Sequence, residues 1–212
     1  IGLLFSLTLA GDTLISLLLA TRADAWGRRR TLLVGALLMV FAGSVFAVSD
    51  HFVILVVAAT LGVMSPSGHE VGPFLAVEQA ALAHVTGGGR LTNRLAWYNL
   101  TGAAGAALGS LSAGLAAGAL EGHGWSALES YHAIVAGYAL LGASLLPIFA
   151  RLGDAVEVRT TARAPRSGGV TGLHRSRRLV LRPAALFSLD AFAGGFVIQS
   201  FLAYWFHTRF AV

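Results

Sequence analysis

Ala20-Thr21-Arg22-Ala23-Asp24-Ala25-Trp26-Gly27-Arg28-Arg29-Arg30 is a charged knot set between two long apolar runs, residues 1–21 and 31–48. A bilayer core of roughly 30 Å takes about 20 apolar residues to cross as a helix. The knot therefore reads as a polar loop joining two membrane spans. Within it, Gly27 permits a tight turn. Asp24 is placed to meet a helix N-terminus or a neighbouring arginine.

Working outward, the same alternation repeats. Hydrophobic residues make up 56% of the 212 and charged residues 12%, against about 25% charged in a soluble domain. Six apolar stretches stand out, at about 1–21, 31–48, 52–83, 95–119, 131–150 and 184–206. They predict an all-α membrane protein, a polytopic helical bundle. The third stretch has some 32 residues, roughly 48 Å as a helix, too long for one straight crossing. Ser65-Pro66-Ser67-Gly68 and Gly72-Pro73 interrupt it, so a kinked or locally unwound helix is expected there. In the fourth, Gly102, Gly105, Gly109 and Ser112 fall within a stripe of roughly 80°. Small residues so placed let two membrane helices approach closely. Residues 151–182 form the longest polar segment, with eight arginines, and read as a linker.

The charge distribution sets the topology. All fifteen basic residues are arginines, and the net charge is +5. If the Arg22–Arg30 loop faces the cytoplasm, alternation puts 84–94 and 151–182 on the same side. Those segments hold fourteen arginines, and the other side holds only Arg209. Cytoplasmic loops carry such an excess. The opposite loops carry Asp50, Glu121 and Glu129, and all four tryptophans lie near span ends. The basic excess is thus a topology signal, and nucleic-acid binding is not needed to explain it.

Little points to an enzyme. With no cysteine, disulfides and thiolate metal sites are excluded. His69-Glu70 lacks the second histidine of a zinc protease helix, and Gly87-Gly88-Gly89-Arg90 lacks the G-K-[ST] ending of a phosphate loop. No paired catalytic constellation, metal site or cofactor motif is expected.

The knot resembles the loop motif of the major facilitator superfamily, G-x-L-A-D-R-x-G-R-R, which in that family joins the second and third transmembrane helices. Asp24, Gly27, Arg28 and Arg29 match it. Ala20 stands for the first Gly, Arg22 for the Leu and Ala25 for the first Arg. The resemblance implies a conformational latch between two helical bundles. Registered on the motif, the six spans are similar to helices two to seven of a twelve-helix transporter. Residues 1–150 would then be an N-terminal bundle lacking its first helix, 151–182 the central cytoplasmic linker, and 183–212 the first helix of the C-terminal bundle. The remaining helices would belong to the same full-length chain, beyond the residues at hand. The basic residue expected in the first half of helix four is missing, Ala58, Ala59 and Thr60 standing there. The Gly-Pro pair of the antiporter pattern in helix five is missing too.

Four acids lie inside spans: Asp12, Glu70, Glu78 and Asp190. Charge at mid-membrane costs at least about 2.5–3.5 kcal/mol, so such residues face a cavity or a partner. Glu70 and His69 sit between the two proline breaks and read either as a coupling or substrate site or as a self-satisfied kink. Of the two glutamates, Glu70 is the choice for coupling. Glu78, nearer the arginine-rich side, reads as a structural ion pair with Arg94 or Arg28. Asp12 shares a face with Ser16 and is either a cavity residue or a contact within the bundle. Asp190 opens the last span, as a gate or substrate contact or as an interfacial partner of Arg182.

The resulting expectation is a secondary transporter working by alternating access in a multi-pass arrangement, in a bacterial cytoplasmic membrane. It would move a small-molecule substrate, coupled to protons, with export preferred. Its other partner is the lipid bilayer. The alternative is a non-transporting membrane sensor or assembly protein on the same scaffold.

Overall fold

The computed structural model describes residues 2–62, 74–86, 91–153, 156–157, 185, 188, 192 and 199–210. Their regular elements are all helices: α1 (Gly2–Trp26), α2 (Arg28–Val48), α3 (Phe52–Leu61), α4 (Phe74–Thr86), α5 (Leu91–Gly122), α6 (Ala127–Ala150) and α7 (Gln199–Phe210). The chain divides into two units, Ile1–Arg159 and Thr160–Val212. The first unit contains α1 to α6. In the second, Trp205, Phe206 and Phe210 of α7 stack against one another, with Trp205 edge-on to both phenylalanines at 5.2 and 5.8 Å.

The turn between α1 and α2 is tighter than the nine-residue loop expected at 22–30. Arg22, Ala23 and Asp24 continue α1, and Gly27 alone leaves helical geometry, at φ 100° and ψ 129°. The Gly27 N–H still donates to the Ala23 carbonyl at 2.9 Å, while its own carbonyl accepts from the Thr31 N–H at 3.1 Å. Positive φ places Cβ against the backbone in any other residue, so one glycine suffices to break and redirect the helix.

α2, α5 and α6 are long and apolar enough to cross a membrane, and α3 is a shorter apolar helix. The expected third span appears as α3 and α4 on either side of residues 63–73. The break predicted at Pro66 and Pro73 lies outside the described residues. α5 has 32 residues, longer than the 95–119 read from hydropathy, because backbone hydrogen bonding carries the helix past the apolar stretch through polar residues such as Asn93, Arg94 and Glu121. α6 opens on a capping box. The Ser126 hydroxyl accepts from the Glu129 N–H at 3.3 Å, and the Ser126 N–H donates to the Glu129 carboxylate at 2.8 Å, satisfying donors that a helix start leaves open.

Close helix approach in the first unit depends on particular glycines. α2 runs along α6 in the most extensive pairing of the unit. A Cβ on Gly43 would lie 2.8 Å from the Ala139 Cβ, and one on Gly142 would lie 3.0 Å from Met39 Cγ. At the α2–α3 crossing, a Cβ on Gly62 would fall 2.1 Å from that of Ala42. Membrane helices use small residues in this way, because lipid offers Leu-like surroundings and only packing distinguishes protein from lipid. The α5 stripe differs. At Gly102, Gly105 and Gly109 a Cβ would meet nothing within 4 Å, so among the described residues that face has no partner. Leu108, Leu111 and Leu115 of α5 also point outward, as suits a helix in lipid.

One apolar cluster lies beneath the α1–α2 turn. Ala23, Leu32, Ala36, Phe74, Val77 and Phe149 are buried together, flanked by Leu33, Leu145, Leu146 and Leu152. The Phe74 and Phe149 rings stand 5.6 Å apart. This cluster joins α1, α2, α4 and α6, and it holds the residues after α6 against the turn.

Candidate functional site

The polar structure above that cluster is built from both ends of the first unit. A helix start leaves its first N–H groups without intrahelical partners and carries partial positive charge. At α2 these groups are met by Glu157. Its carboxylate accepts from the Arg28 N–H at 2.9 Å and from the Arg29 N–H at 3.1 Å. The Arg28 side chain turns back across the break, donating from Nε to Asp24 Oδ1 at 3.0 Å and from Nη1 to the Val156 carbonyl at 3.4 Å. Arg28 is 7% exposed in its side chain and Asp24 68%. The pair therefore has one buried cation and one solvated anion, and its direct contribution to stability is small. Gly27 is required twice over. Its φ strains any residue with a side chain, and a Cβ there would stand 3.1 Å from Glu157 Oε1.

Asp24, Gly27, Arg28 and Arg29 thus come together, although Arg29 takes part through its backbone. Glu157 completes the group and was not singled out from the sequence. Only its place just after the sixth span, in a segment otherwise rich in arginine, could have drawn notice.

The other site residues are dispersed. Asp12 is 6% exposed in the middle of α1, and Ser16 donates to its Oδ1 at 3.2 Å. Glu78 accepts a hydrogen bond from the Tyr98 hydroxyl of α5. Next to it, Gln79 donates to Asn99 Oδ1 at 3.4 Å. Among the described residues no ion pair joins Glu78 to Arg94 or Arg28. Arg94 is exposed, and Arg28 is engaged at the turn. Tyr98, one turn further along α5 than Arg94, reaches Glu78 instead. His69, Glu70 and Asp190 lie outside the described residues. On the other side of the unit, Asp50 Oδ1 stands 3.4 Å from His132 Nε2, tying the α2–α3 turn to α6. Among the described residues no group of three or more histidine or acidic side chains is arranged to hold a metal ion.

The sequence profile of the Major Facilitator Superfamily matches residues 1–210. The chain belongs to that family. Its match covers the loop motif and every helix of the fold. The chain is also similar to an uncharacterised membrane protein of Saccharomyces cerevisiae, YJR124C. The two are 40% identical over 160 residues, which is 74% of this chain and 36% of that one. The chain thus spans about a third of the length of that relative. No solved structure matches. In this major facilitator chain, an integral multi-pass membrane protein, one set of polar groups closes the α1–α2 turn, and the others lie apart from it, at Asp12 and Ser16 in α1, between α4 and α5, and at the Asp50–His132 pair. The first can hold and release a helix end without covalent chemistry.

Proposed function

We propose that the chain is the N-terminal part of a secondary active transporter that moves a small solute by alternating access, driven by a proton gradient. The observation that carries this reading is the polar closure of the α1–α2 turn. Asp24, Gly27, Arg28 and Glu157 converge there on one helix start through bonds that a rocking bundle can break and remake. Alternating access in such folds is a movement of one helical bundle against the other around a midplane site. Residues 1–150 would form one bundle, 151–182 the linker and 183–212 the start of the other. Asp12, His69, Glu70 and Asp190 are the groups proposed for coupling or substrate contact. Export is the preferred direction. The yeast relative gives no ground for a bacterial membrane, so the proposal extends only to a membrane whose cytoplasmic side bears the arginine-rich loops.

The test uses the full-length protein in proteoliposomes, with a panel of labelled sugars, amino acids and organic acids and an imposed pH gradient. At least one solute should move in response to the gradient. Asp24→Asn should slow that movement at least tenfold while leaving the melting temperature close to the parent's. Full activity in that variant would reduce the turn to a structural connection.

A further inference from the structure

Four arginines crowd the α1–α2 turn, and only one of them is matched. Arg28 is bonded to Asp24, and the Glu157 carboxylate is taken up by the Arg28 and Arg29 N–H groups. The side chains of Arg22, Arg29 and Arg30 are exposed. Among the described residues no carboxylate stands within ion-pair distance of any of the three. Arg22 lies instead over the Trp26 ring, 6.0 Å from its centroid, and that residue is itself 51% exposed. Arg29 and Arg30 stand in the first turn of α2, where the partial positive charge of a helix start disfavours cations. Nothing described at the turn offsets these charges.

Topology does not require this arrangement. Arginines anywhere in a cytoplasmic loop orient the spans, and residues 84–94 and 151–182 supply them as well. What the fold adds is the level at which the charges lie. Gly27 alone leaves helical geometry, so the arginines are carried on two helix ends and not on a loop reaching into solvent. The apolar run of α1 ends at residue 21, and that of α2 begins at 31. From Arg22 to Trp26 the helix rises about 6 Å, close to the depth of one headgroup layer, about 5–7 Å. Tryptophan rings prefer that layer. Along α1, Leu14, Leu18, Arg22 and Trp26 follow one another at four-residue spacing, and all four are exposed. Residues so spaced are neighbours on one helix surface. An apolar strip therefore leads to a guanidinium and an interfacial ring, the order of groups met along a phospholipid from acyl chain to phosphate.

We propose that the α1–α2 turn is a binding surface for an anionic phospholipid. Arg22, Arg29 and Arg30 supply the charge that holds its headgroup, and an acyl chain lies along Leu18 and Leu14. Guanidinium groups suit this role because their N–H groups meet phosphate oxygens in pairs, and Arg22 keeps its N–H groups available while its flat face rests on Trp26. Each arginine at an anionic surface adds to the attraction. The α2 N–H groups take no part, since Glu157 already occupies them. A lipid is the occupant, and not a soluble phosphate, because the apolar strip continues from the charge into the bilayer. The inference requires a protein that lies in a membrane, as members of this family do, and not one that transports.

The experiment is native mass spectrometry of the full-length protein, titrated in detergent with phosphatidylglycerol and, separately, with phosphatidylcholine. Phosphatidylglycerol should bind more tightly by about tenfold or more. Arg22→Gln, Arg29→Gln and Arg30→Gln together should abolish that preference. The charge-matched variant Arg90→Gln, Arg94→Gln and Arg166→Gln should keep it. Equal loss in both would make the preference a matter of net charge and overturn the proposal. Glycerol 3-phosphate, which offers the phosphate without acyl chains, should not displace the lipid. Displacement would reveal a site for a soluble phosphate and refute lipid docking. A phosphatidylglycerol with a photoreactive headgroup should cross-link within residues 20–30 of the unaltered protein, a result that depends on no variant folding. Cross-links confined to other segments would equally defeat the assignment.

Discussion

Glu157 and Arg28, 129 positions apart in the chain, meet at 2.9 Å where the Glu157 carboxylate accepts the first N–H of α2. The contact closes the first unit on itself. The residues after α6 are brought back to the turn between α1 and α2, over the apolar cluster that contains Ala23, Leu32 and Phe149. A carboxylate at a helix start is favoured both by the open N–H groups and by the partial positive charge of that end.

Removal of that carboxylate should be felt as the loss of a helix cap. Glu157→Ala is expected to destabilise the protein by about 1–2 kcal/mol. Glu157→Gln, which retains one acceptor oxygen, should cost about half as much. Thermal unfolding in detergent, followed by circular dichroism or intrinsic fluorescence, measures both. An unchanged melting temperature in Glu157→Ala would mean that the contact contributes nothing to the fold.

Gly27→Ala should act at the same place by a different route. A Cβ at φ 100° is strained by roughly 1–2 kcal/mol, and it would also push on Glu157 Oε1. Because the two positions share that contact, their effects should be less than additive. The Gly27→Ala, Glu157→Ala double variant should be more stable than the sum of the single losses predicts. Strict additivity in the melting experiments would show that the new methyl group does not disturb the carboxylate.

Topology can be tested without knowing the substrate. A cysteine-free chain accepts single reporters readily, and Glu121 is exposed in the last turn of α5. It is a better position than Ser126, whose hydroxyl caps α6. Glu121→Cys should label with an impermeant maleimide from outside sealed cells. Ser167→Cys, in the arginine-rich segment, should label only after the membrane is opened. Labelling of both from one side would contradict the orientation inferred from the fourteen-to-one division of arginines.

Much of this protein was legible before any fold was known. The apolar runs of membrane length and the arginine-rich loops between them identified a helical bundle, because a chain in lipid must satisfy its backbone internally and span about 30 Å to do so. The knot at Asp24, Gly27, Arg28 and Arg29 could be found because its residues are contiguous, and contiguity is what a linear motif requires. Helix ends were less legible. Hydropathy marks where the lipid stops, whereas the helix continues as long as backbone bonding and residue propensity allow, as α1 does through Asp24 and α5 does to Gly122.

The partners across the fold were decided by tertiary structure alone. Nothing in the composition of residues 151–159 selects Glu157 over its neighbours. It caps α2 because α6 runs antiparallel beside α2 and delivers the chain to that end. Charge logic paired Glu78 with an arginine, but the register of α4 on α5 presents Tyr98. The glycines of α5 form the more conspicuous stripe in the sequence, yet Gly11, Gly43, Gly62 and Gly142 are the ones among the described residues packed against other helices. Sequence periodicity defines a face and not what covers it. The position of Asp12 could be counted along α1, but its burial, like the close approach of Gly11 to Thr60 of α3, was decided by the packing of helices against one another and is written in no one helix alone.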